Sequence, residues 1–165
     1  FEMRALAGFE RSGHFFFNQP IGRGYDDGLM SALEVLKILD NNKNKTFSDL
    51  YDELQTTFSS PTMSPKCPDE VKYEIIEKIE KIFNNKKTNN NLIAGQRIIS
   101  VLTVNGVRVE LEDGSWGLVR ASSNSPNLVV VCESLESKEK MKQIFSELNC
   151  VLSDFNEIGD YDQKI

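Results

Sequence analysis

Apolar and polar residues fall into blocks of two kinds along this chain. Two short apolar runs, 3–9 and 14–18, flank Glu10-Arg11-Ser12-Gly13 and predict strand, tight loop, strand. The polar loop Gln19–Gly24 follows. An apolar stripe at helical spacing then runs through Leu29, Leu33 and Leu36, with Met30, Val35 and Leu39 broadening it, so a helix is expected over 28–39 with an Asp at its start as cap. After the polar break at 41–45, Thr46 and Asp49 have the spacing of a capping box. Phe47, Leu50, Tyr51 and Leu54 repeat at helical intervals behind them. Residues 59–68, rich in Ser and Pro, read as extended. Pro68-Asp69 opens a helix carrying Val71, Ile75, Ile76, Ile79, Ile82 and Phe83 on one side.

The second half has the other period. The β-branched runs 97–104, 107–112 and 115–120 are separated by Asn105-Gly106 and Asp113-Gly114, dipeptides that suit two-residue hairpin turns. A fourth strand is expected at 127–132 and a closing helix from about Ser137 to Leu148, with Met141, Ile144, Phe145 and Leu148 inward. The polar, acidic tail 153–165 is expected to fray. The pattern predicts an α+β architecture: a four-stranded antiparallel sheet with helices on one face, preceded by a strand-loop-strand-helix segment.

The chain has 165 residues, enough for one ordinary domain or a small domain with a remnant of another. Its opening residues, Phe1-Glu2-Met3-Arg4, run straight into a patterned segment, as expected of a piece cut from something longer. Its net charge of −6 argues against nucleic acid or an anionic membrane as the main partner, since basic surfaces bind both. An antiparallel α+β sheet can present aromatics to RNA bases, but charge and the lack of an aromatic pair on the meander strands count against that reading. A small anion can still find a local site on an acidic protein. Cys67, Cys132 and Cys150 show no metal-ligand spacing and are expected as free thiols in a reducing, cytoplasmic setting. No apolar run is long enough to span a bilayer.

Two loops could carry chemistry. Arg120-Ala121-Ser122-Ser123-Asn124-Ser125-Pro126 offers a guanidinium, hydroxyls, a carboxamide and backbone amides, the donors a phosphate needs. The same composition also suits an ordinary surface loop. Glu10-Arg11-Ser12-Gly13-His14 could bring a carboxylate, a hydroxyl and an imidazole onto sugar hydroxyls, or could be a solvated turn. Asp26-Asp27 suggests a metal only weakly: carboxylates beside a helix start are more often caps. Trp116 is expected as core or rim packing.

Read together, three segments in order are less anonymous. Gly8-Phe9-Glu10-Arg11-Ser12-Gly13-His14 resembles the sugar-binding loop of the phosphomannomutase/phosphoglucomutase (alpha-D-phosphohexomutase) family, although Phe9 stands where that family often has Gly. Gly24-Tyr25-Asp26-Asp27-Gly28 resembles the family's helix start, and Ser115-Trp116-Gly117-Leu118-Val119-Arg120-Ala121-Ser122 with Pro126 resembles the phosphate loop of its C-terminal domain. The resemblance implies the C-terminal part of an isomerase interconverting hexose 1-phosphates and 6-phosphates of mannose or glucose. Residues 1–42 would end its third (α/β) domain, 43–57 would be a linker helix, and 58–165 would be its C-terminal domain. Glu10, Ser12 and His14 would bind sugar hydroxyls. Arg120, Ser122, Ser123, Asn124 and Ser125 would bind the phosphate that is not transferred. The family's phosphoserine and its Mg²⁺ ligands match nothing here, so this chain alone is expected to bind and not to catalyse. Two alternatives stand beside this reading: a free-standing sugar-phosphate-binding module, and a phosphoglucosamine or phosphoacetylglucosamine mutase. The phosphate loop lacks the Gly-Thr-Glu of amino-sugar relatives, which counts against the second.

Overall fold

The computed structural model describes residues 5–10 and 13–165. The chain divides into two units, Phe1–Gln55 and Thr56–Ile165.

In the first unit, strands β1 (Ala7–Phe9) and β2 (Phe15–Phe17) form an antiparallel hairpin pairing Ala7 with Phe17 and Phe9 with Phe15. The pairing stacks aromatic edges on one side: the Phe9 ring is 5.3 Å from Phe15 and 6.2 Å from Phe17. Helix α1 (Gly28–Asn41) starts where Asp27 Oδ1 accepts from the Leu29 and Met30 amides at 3.0 and 3.1 Å. Helix α2 (Phe47–Asp52) opens on a full capping box, Thr46 Oγ1 accepting from the Asp49 amide and Asp49 Oδ2 from the Thr46 amide. None of the described residues of this unit is buried, and Leu29, Leu33 and Leu36 stand exposed along α1.

The second unit holds the core. Its antiparallel sheet has six strands, not the four expected, in the order β3-β8-β7-β6-β5-β4. The four central strands are β5 (Gln96–Leu102), β6 (Val107–Leu111), β7 (Trp116–Ala121) and β8 (Leu128–Ser134). Each edge carries a two-residue strand too short for a periodic signal: β3 (Phe58–Ser59) beside β8 and β4 (Leu92–Ile93) beside β5. The segment after β3 continues along β8 through the bridges Met63–Val130 and Lys66–Asn127, broken by Pro61 and Pro65. Proline in an edge segment gives up few ladder bonds, so a Ser/Pro-rich stretch that reads as extended can complete a sheet.

Both hairpin turns are longer than two residues. Leu102 pairs with Arg108, so 103–107 lie between the paired residues. The Leu111 amide donates to the Ser115 carbonyl at 2.8 Å, and the three-residue loop between them ends on Gly114 at φ +87°. Alternate strand positions (Val107, Val109 and Leu111; Val119 and Ala121; Leu128, Val130 and Cys132) are buried under α3 (Lys72–Thr88) and α4 (Lys138–Leu152). Each helix contributes an apolar face: Ile75, Ile79 and Phe83 from α3, and Met141, Ile144, Phe145, Leu148, Val151 and Leu152 from α4. Trp116 lies on the opposite, open face, where Nε1 donates to Glu133 Oε1 at 3.2 Å and the Arg108 guanidinium sits 4.8 Å over the ring.

The tail does not fray. Phe155, Ile158, Tyr161 and Ile165 pack on the core, and Asp162 Oδ1 accepts from the Ser64 amide at 2.6 Å. Apolar residues spaced through an acidic segment were enough to hold it down.

Candidate functional site

The first loop lies at the tip of the β1–β2 hairpin. The Glu10 amide donates to the His14 carbonyl at 2.9 Å and the Gly13 amide to the Glu10 carbonyl at 3.0 Å, closing the tip. Ser12, expected as a sugar ligand, lies outside the described residues. His14 is exposed, and its Nδ1 is 2.5 Å from Asp26 Oδ2. The other carboxylate oxygen of Asp26 accepts from the Phe15 amide at 3.2 Å. This bond with Asp26, followed by the nearby charges of Asp26 and Glu10, raises the His14 pKa above its usual 6.5. The same bond, followed by the Phe15 amide, holds Asp26 below its usual 3.8. With Nδ1–H committed to the carboxylate, the ring's Nε2 is the nitrogen left to meet a ligand.

The two neighbouring aspartates therefore have different tasks. Asp26 orients His14 and Asp27 caps α1. Among the described residues no group of three His, Cys, Asp or Glu side chains comes together as a metal site. A cleft of about 690 Å³ opens nearby, lined by residues that include Gln19, Arg23, Tyr25 and Asp27; neither Glu10 nor His14 lines it.

The second loop joins β7 to β8. Arg120 is the penultimate residue of β7, on the open face, and one of its guanidinium nitrogens donates to the Ala121 carbonyl at 3.1 Å. The loop is closed by the Ser122 amide donating to Asn127 O at 3.0 Å and the Asn127 amide to Ser125 O at 2.8 Å. The Ser122 and Ser125 hydroxyls meet at 2.9 Å, and the Asn124 amide is 3.4 Å from Ser122 Oγ. Ser123 and Asn124 are exposed. The Ser123 and Ser125 amides donate to nothing among the described residues, so both remain available to an acceptor. Arg120, Ser122, Ser123, Asn124 and Ser125 thus share one compact loop of donors.

Two features escaped the sequence. The Lys72 side chain reaches this loop from α3, and Gly106 abuts the Arg120 backbone. Neither has a local signal, because each depends on a contact between residues far apart in the chain.

The chain matches two family models. Residues 1–58 match the phosphoglucomutase/phosphomannomutase alpha/beta/alpha domain III, and residues 65–149 match the phosphoglucomutase/phosphomannomutase C-terminal domain. A phosphomannomutase/phosphoglucomutase of Pseudomonas syringae pv. tomato is 34% identical over 155 residues, covering 92% of this chain and 30% of that protein. A phosphoglucomutase of Neisseria gonorrhoeae is 29% identical over 149 residues, 90% of this chain and 29% of that protein. A crystal structure of a phosphoglucomutase/phosphomannomutase family protein from Burkholderia thailandensis superposes with a TM-score of 0.67 at 27% identity, covering 91% of this chain and 28% of that one. This chain belongs to the phosphoglucomutase/phosphomannomutase family. It spans about 30% of the length of the curated relatives it matches, and it matches their C-terminal part.

Proposed function

We propose that this chain supplies the ligand-holding part of a phosphohexomutase that interconverts hexose 1-phosphate and 6-phosphate, with glucose or mannose as the sugar. The observation that carries the reading is the β7–β8 loop, where a guanidinium, serine hydroxyls and uncommitted amides lie within six residues.

In this reading Arg120 grips two phosphate oxygens with its planar fork, while Ser122, Ser123, Asn124 and Ser125 donate to the others. The phosphate held here is the one not reacting, and its binding orients the far end of the sugar for transfer. Glu10 accepts from two neighbouring sugar hydroxyls, an arrangement indifferent to which end of the hexose carries which phosphate. Ser12 and His14 complete the contacts, His14 through the Nε2 that Asp26 leaves open. The groups that transfer phosphate, including a phosphoserine and Mg²⁺, belong to other domains of the whole enzyme, so the chain alone binds without turning over. A cytoplasmic setting suits such an enzyme, and among the described residues no helix is long and apolar enough to cross a membrane.

The test is an amide NMR titration of the ¹⁵N-labelled chain with inorganic phosphate, glucose 1-phosphate and mannose 1-phosphate. Residues 120–125 should respond to all three, and Glu10 and His14 only to the sugars. Arg120→Gln should weaken every ligand by at least about tenfold, the scale of a lost charge-assisted pair. A phosphate response elsewhere, with the loop silent, would sink the reading.

A further inference from the structure

Lys72 is a lysine with almost no exposed surface, 3% of its maximum, on the first turn of α3. An ammonium carries three donors and no acceptor, so burial demands three partners. Lys72 has them. Its Nζ donates to Ser122 O at 2.5 Å, to Ser125 O at 3.1 Å and to Asp69 Oδ1 at 2.5 Å. Two of the three partners are main-chain carbonyls of the β7–β8 loop, at positions 122 and 125.

These two carbonyls matter for an anion site. A carbonyl oxygen turned toward a phosphate repels it, and a flexible loop would sample such conformations. Drawing Ser122 O and Ser125 O onto one buried cation removes both from the ligand's side. It also fixes the two loop positions whose hydroxyls meet at 2.9 Å. Asp69 is largely exposed, with 61% of its side chain open, so it shares the ammonium with the loop from the solvent edge and does not neutralise it in a closed pocket.

We propose that Lys72 is the positioning residue of the phosphate loop, clamping the Ser122 and Ser125 carbonyls so that hydroxyls and free amides face the ligand. The proposal rests on the reading of the loop as a phosphate site, and it adds a residue that touches no ligand itself.

Three measurements on the full chain test it. In the wild type, the Lys72 ammonium protons should be visible by ¹⁵N NMR and exchange at least about tenfold more slowly than those of exposed Lys81, since buried hydrogen bonds shield them. Exchange as fast as at Lys81 would overturn the clamp, and this readout needs no variant to fold. In Lys72→Met, amides 122–125 and 127 should shift and Ser122 N–H should lose exchange protection, while the Val109 and Val130 amides stay put. Affinity for inorganic phosphate should fall by at least about tenfold. Asp69→Asn keeps an amide oxygen that can still accept from Nζ and spares the two carbonyl bonds, so the loop amides should move less than in Lys72→Met. If Arg120→Gln abolishes phosphate binding but Lys72→Met changes neither the loop amides nor affinity, the Lys72 role is wrong and the phosphate site stands. If the wild-type loop ignores phosphate altogether, both fall together.

Discussion

Gly106 lies against the end of β7 so closely that a Cβ there would sit 2.7 Å from the Arg120 Cα and 2.6 Å from the Val119 carbonyl oxygen. Its φ of +106° also belongs to the region that side chains disfavour. The turn between β5 and β6 is thus packed onto Arg120, next to the β7–β8 loop proposed to hold phosphate. Gly106→Ala should destabilise the second unit by roughly 1–3 kcal/mol, from backbone strain and close contact together. It should also weaken phosphate binding beyond what lost folding explains, because Arg120 has to shift. Denaturant melts alongside a phosphate titration below the transition would check this; an Ala variant with wild-type affinity would separate the turn from the site.

The His14–Asp26 pair predicts a pH window. His14 is raised on folding, so the pair's contribution is complete below the usual histidine value of 6.5 and is lost as pH climbs through the raised value. Asp26 is depressed, so the contribution is complete above the usual 3.8 and is lost as pH falls through the lowered value. Imidazole NMR should place the His14 midpoint above 6.5. Asp26→Asn should bring it back toward that value and loosen the hairpin tip, read at the Phe15 amide. A midpoint unmoved by the substitution would show that Asp26 does not hold the ring.

The three thiols should separate by reactivity. All are free, with Cys67 and Cys132 buried and Cys150 exposed on α4. Burial pushes the Cys132 thiol up to about 12 and also raises Cys67. A colorimetric thiol reagent should label Cys150 quickly in the native chain and reach the other two only on unfolding. Rapid labelling of Cys132 would mean that β8 opens readily.

Gly117 sets how closely α4 approaches the sheet. A Cβ there would lie 2.6 Å from Leu148 Cδ1 and 3.3 Å from Ile144 Cγ2, side chains already fixed in the core. Gly117→Ala should therefore cost about 1–3 kcal/mol of stability through overpacking, with the β7–β8 loop still formed. Thermal melts would show it; a stabilised variant would mean that α4 can retreat without loss.

How much of this was readable in the residues depends on the range of the interaction. Elements with a local period emerged at nearly the right bounds: the apolar face of α4, the capping box of Thr46 and Asp49, and the four central strands. The edge strands did not, because Phe58–Ser59 and Leu92–Ile93 are shorter than any period, and the two-residue turn into β5 puts Ala94 at φ +50° before Gly95, so only its second position carries the usual signal. The turns at Asn105-Gly106 and Asp113-Gly114 were located but their lengths were not, since dipeptides mark a reversal without fixing its register. The residue types of the β7–β8 loop stand in the sequence itself, but not how its hydroxyls and amides bond to one another. Nor was the contact of Lys72 legible: one lysine among many on an amphipathic helix looks like solvated surface until position 72 meets positions 122 and 125.

The two short edge strands have a further consequence. A long, flat outer strand offers another molecule a row of unpaired N–H and C=O groups to extend the sheet. Here each margin holds a two-residue strand, one continued by a proline-broken segment and the other ended by a tight turn. The proline-broken margin offers little template for strand addition, whereas on the other side β4 covers only Gln96 and Arg97, so the rest of β5 is where a further strand would pair.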